Sequence, residues 1–71
     1  MTSILTNEEK IAIVDQHIRS LEYSIYGAEL DKIEAEAVSS VDTDLVASID
    51  VKLSALNDKK AALVAEKAAL A

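Results

Sequence analysis

The chain has 71 residues, seven Lys or Arg against thirteen Asp or Glu, no cysteine, no proline and one glycine. One domain at most fits, and so small a core needs help from a disulfide, a metal or oligomerisation. The missing cysteine excludes disulfides, iron–sulfur clusters and thiolate zinc sites, and a lone His17 makes a poor imidazole site, which leaves oligomerisation or docking.

Alanine, leucine, glutamate and lysine are abundant and aromatics are few. That composition favours helix over sheet. The opening, Met1-Thr2-Ser3-Ile4-Leu5, has no basic residue and no long apolar stretch, so it does not read as a secretory signal. No run approaches the roughly 20 apolar residues of a membrane span. The expectation is a soluble chain in a reducing cytoplasm.

Thr6-Asn7-Glu8-Glu9 has the form of a capping box, with Leu5 placed to act as the outer half of a hydrophobic staple. A first helix is predicted over 7–38. Its apolar residues Ile11, Val14, Ile18, Leu21 and Ile25 have the 3-4-3-4 spacing of a packed seam. Beyond Ile25 the apolar set shifts to Tyr26, Leu30, Ile33 and Ala37, and Gly27 sits at the shift. A kink, a drift of the stripe or two different neighbours would each explain it.

Ser39-Ser40-Val41-Asp42-Thr43-Asp44 breaks the helical pattern, and Thr43 or Asp42 can cap the next helix. This second helix is predicted over 44–70. Ile49, Leu56, Leu63 and Leu70 repeat every seven residues, while the alternate positions are Val46, Leu53, Lys60 and Lys67. So short a connection makes the helices antiparallel neighbours.

Folding the chain about residue 41 pairs positions whose numbers add to about 82. Val38 then meets Val46 or Leu45, Ile33 meets Ile49, Leu30 meets Leu53, Tyr26 meets Leu56, Ile18 meets Leu63 and Ile11 meets Leu70. The same register brings Lys60 to Glu22 and Lys67 to Asp15. A charge in a seam needs a partner, so these two contacts mark the register.

The expected architecture is all-α: a single two-helix antiparallel hairpin over 1–71. Ile13, Tyr23, Val51 and Val64 are left over, with Ile4 and Leu45 beside them, and together with Tyr26 they are the candidate interface residues. Two hairpins pairing into a four-helix bundle or coiled-coil-like assembly would cover them. Tyr23 and Tyr26, three apart, have the form of an interface anchor.

Catalytic, cofactor and metal motifs are absent from the sequence. Asp42-x-Asp44 lacks the glycine and distal glutamate of a calcium loop. Glu29 to Lys52 holds seven acids and two lysines, so the hairpin tip is acidic. Glu34, Glu36, Asp42, Asp44 and Asp50 are the candidate docking acids, with solubility the plainer reading. Nucleic acid and membrane are not expected partners, because no basic patch or lysine-flanked aromatic face exists.

Residues Thr6 to Tyr26, TNEEKIAIVDQHIRSLEYSIY, resemble small proteins of tailed phages that infect marine cyanobacteria, which share an opening of the form TNEEK-I-x-I-V-x-x-H-I. The resemblance covers about the first 35 residues. It implies a viral origin, a place in the host cytoplasm or virion, and no catalytic or binding residues. The sequence thus favours a non-catalytic, self-associating assembly protein, a dimer first. The second reading is an acidic binding module or inhibitor that docks on a host protein.

Overall fold

A computed structural model describes residues 4–71, so Met1-Thr2-Ser3 and the reading made of them lie outside the described residues. Two helices, α1 (Asn7–Glu36) and α2 (Thr43–Leu70), pack against each other as a helical hairpin. The rod measures 56 × 16 × 16 Å.

α1 begins as its sequence requires. Thr6 Oγ1 accepts from the Glu9 backbone N–H, and Glu9 Oε1 accepts from the Thr6 N–H, both at 3.1 Å. The reciprocal pair satisfies two amides that the first turn leaves without helical partners. Its far end has no such support. Glu34 and Glu36 lie at the negative end of the helix dipole and the last turn carries no base. The helix stops at Glu36 rather than at 38, with the Ala37 N–H closing a tight turn on the Glu34 carbonyl at 3.3 Å.

Asp42 is the cap of α2. One carboxylate oxygen accepts from both the Asp44 and Leu45 amides at 3.1 Å. Thr43, the other candidate, is the first helical residue.

The ion pairs fix the register. Lys60 Nζ lies 3.6 Å from Glu22 Oε2, and Lys67 Nζ 2.8 Å from Asp15 Oδ1. Lys32 and Asp50 form a third pair at 2.8 Å. In all three the residue numbers add to 82.

Along the seam between the helices, the occluded side chains of α1 are Ile11, Val14, Ile18, Leu21, Ile25, Ala28, Lys32 and Ala35. Those of α2 are Val46, Ile49, Leu53, Leu56, Lys60, Leu63, Lys67 and Leu70. Both sets run 3-4-3-4 without interruption, the heptad pattern of a two-stranded coiled coil. Matched in the register of the ion pairs, they form eight layers. Ile11 lies level with Leu70, and Ala35 with Val46.

The seam of α1 therefore does not shift at Gly27. It continues through Ala28, Lys32 and Ala35. Ala28, 2% exposed, is the one buried hydrophobic residue among the described residues; its small size lets the helices approach closely. Tyr26 and Ile33, predicted to meet Leu56 and Ile49, are instead 62% and 63% exposed. Leu30 and Val38, predicted to meet Leu53 and Val46, are exposed as well.

Candidate functional site

The large residues beyond Ile25 belong to a second seam on the back of α1. In the heptad set by the buried seam, Tyr23, Leu30 and Ala37 occupy f positions and Tyr26 and Ile33 occupy b positions. These positions point away from α2, because f lies opposite the a/d seam. Tyr23 is 69% exposed. The result is an outer apolar stripe, again at 3-4 spacing, about 15 Å long from Tyr23 to Ile33 at 1.5 Å per residue.

Arg19 closes the stripe at its end nearer the open termini. Its guanidinium carbon sits 5.1 Å from the Tyr23 ring centroid and Nη1 lies 4.0 Å from Glu22 Oε1. Arg19, Glu22, Tyr23 and Tyr26 line a shallow depression there. The cation over the ring face restrains Tyr23.

One edge of the stripe is a row of acids. Every e position of α1 is a carboxylate: Glu8, Asp15, Glu22, Glu29 and Glu36, at seven-residue intervals. Asp15 and Glu22 face the seam lysines Lys67 and Lys60. Beyond them, no ion pair among the described residues engages Glu29 or Glu34.

The five candidate interface residues do not share a face. Tyr23 and Tyr26 stand together on the back of α1. Val51, 71% exposed, holds the f position of α2 and points out on the opposite side of the hairpin. Ile13 is at a c position on the edge away from the acidic row, and Val64 is at an e position on α2. Leu30 and Ile33, which complete the stripe with the tyrosines, were assigned in the sequence to the buried seam. Their 3-4 continuation from Tyr23 and Tyr26 was the signal that could have placed them.

Three of the tip acids hold the fold. Asp42 caps α2, Asp44 lies in its first turn at the positive end of the dipole, and Asp50 binds Lys32. The hydrogen bond from Lys32 to Asp50 raises the lysine above its ordinary range, helped by the nearby carboxylates of Asp50 and Glu36. Glu34 lines a shallow hollow with Asp31, Ala35, Leu45 and Ile49.

His17 lines an open trough between the helices with Ser20, Leu21, Lys59, Ala62 and Leu63. Among the described residues no three His, Cys, Asp or Glu side chains cluster to hold a metal. No helix of the described residues is long and apolar enough to cross a membrane.

Comparison with protein-family models gives no match, and neither the curated proteins nor the solved structures give one.

Proposed function

We propose that this hairpin is a non-catalytic assembly protein, a short rod that works by seating another helix on the outer stripe of α1. The observation that carries the reading is the second seam itself: Tyr23, Tyr26, Leu30 and Ile33 in coiled-coil spacing on a face that α2 does not cover. The surface area supports it. The chain exposes 5330 Å², against about 4,300 Å² for a compact monomer of this mass. The surplus, about 1,000 Å², is close to the roughly 800 Å² each partner contributes to a standard interface.

Two occupants satisfy this role. A second hairpin would give a four-helix bundle, the self-associating reading. A helix of a different protein would make the chain a binding module, and the acids along the stripe favour it. The resemblance of residues 6–26 to small phage proteins suits an accessory role in a viral setting under either reading.

Sedimentation equilibrium and peptide binding test the role together. Leu30→Glu places a charge in the middle of the stripe and outside the buried seam, so helical content should persist while association is lost. If neither self-association nor binding of an apolar helix responds to Leu30→Glu, the stripe is not the working face.

A further inference from the structure

We infer that the outer stripe is built for a basic amphipathic helix of another protein: apolar residues at 3-4 spacing, with lysine or arginine at seven-residue intervals along its flank. The inference rests on the reading of the stripe as a docking face and names what docks there.

Charge identifies the occupant. The stripe is bordered by Glu22, Glu29 and Glu36 on one side and by Glu34 on the other. Glu22 is engaged by Lys60 and Arg19, and Glu36 lies near Lys32. Glu29 and Glu34 enter no ion pair among the described residues. The acidic character of the flank therefore grows toward the hairpin tip.

A second copy on the same face meets opposition. An antiparallel pairing stacks Tyr23 on Ile33 and Tyr26 on Leu30, which suits the apolar residues well. It also sets Glu29 against Glu29 of the second copy, and Glu22 against Glu36. A parallel pairing sets Glu29 against Glu34. Flanking positions choose partner and orientation in helix pairs, and like charges placed opposite each other select against that partner. A helix with basic flanks turns each of these positions into an attraction while keeping the apolar fit.

The test uses the full chain and two synthetic helical peptides with one apolar seam. One peptide carries lysine on its flanks and the other glutamate. The lysine peptide should bind at least about tenfold tighter at low salt, and the gap should narrow as ionic strength rises. Glu29→Lys with Glu34→Lys should reverse the preference, and neither residue belongs to the buried seam or pairs with one that does. Leu30→Glu should abolish binding of both peptides, with circular dichroism confirming that the helices persist. Equal binding of the two peptides, with both lost in Leu30→Glu, overturns the charge assignment and leaves the docking role standing. A neutral-pH dimer that Leu30→Glu dissociates, and that the lysine peptide does not displace, also overturns it in favour of a second copy. No response to Leu30→Glu in any measurement overturns both readings.

Discussion

Lys32 Nζ sits 2.8 Å from Asp50 Oδ1 and ties α1 to α2 on the side nearest the tip. It repeats a pattern seen twice more. Each seam lysine lies level with an apolar residue of the opposite helix, and the next residue along that helix is the acid it binds: Ile49-Asp50, Leu21-Glu22 and Val14-Asp15. The long stem lies across the seam while the ammonium reaches the edge.

Replacing Lys32 separates stem from charge. Lys32→Ala removes both and should lower Tm by several degrees. Lys32→Leu keeps the packing against Ile49 and removes the partly exposed pair, so Tm should hold or rise, because a well-packed apolar residue often outperforms an ion pair in a seam. Thermal unfolding by circular dichroism compares them. A larger loss for Leu than for Ala would refute this account.

Among the described residues, Lys32 and Glu9 have displaced pKa values, and they act at opposite ends of the pH scale. Lys32 is raised by its hydrogen bond to Asp50, so its contribution is complete below the ordinary lysine range and disappears as pH climbs through the raised value. Glu9 is lowered, first by the Thr6 backbone N–H and then by the Thr6 hydroxyl, so its contribution is present above the ordinary carboxylate range and disappears as pH falls through the lowered value. Protection of the first-turn amides of α1, taken relative to the intrinsic exchange rate at each pH, should therefore fall on acidification. In Thr6→Ala that dependence should be blunted.

The helix caps can be weighed separately. Asp42→Ala removes the acceptor for two amides of α2 and should cost about 1 kcal/mol. Thr43→Ala, one residue on, should cost less, because Thr43 does not cap. Urea unfolding of the two variants gives the comparison, and equal losses would count against Asp42 as the cap.

Gly27 offers a gain. Its φ is not positive, and a Cβ built there meets nothing within 4 Å. Alanine at this interior helix position should add up to about 1 kcal/mol, or about 4–8 °C in a domain of this size. An unchanged or lower Tm would show that the backbone at Gly27 is needed for something the hairpin alone does not reveal.

The hairpin and its register were legible in the sequence because charges in an apolar seam are informative. Lys60 and Lys67 could be satisfied only by carboxylates at matching height, and Glu22 and Asp15 met that condition. The tip half of α1 was misread for a related reason. Ala28, Lys32 and Ala35 carry the buried seam there, and an alanine or a lysine does not announce burial. Tyr26, Leu30 and Ile33 do suggest burial by size, so they drew the seam to the outer face. Two apolar stripes on one helix look, in one dimension, like one stripe that slips.

The acidic column on α1 has one more effect. Because its carboxylates recur every seven residues, Lys60 and Lys67 would still find acids if α2 slid by one heptad: Asp15 and Glu8 in one direction, Glu29 and Glu22 in the other. Those two lysines behave like a zip that closes at more than one setting. Lys32 does not share the ambiguity, for a slide leaves it beside Thr43 or Asn57 instead of Asp50. Together with the short connection between the helices, that single pair works as a detent, holding the rod at one setting out of several that its other charges would accept.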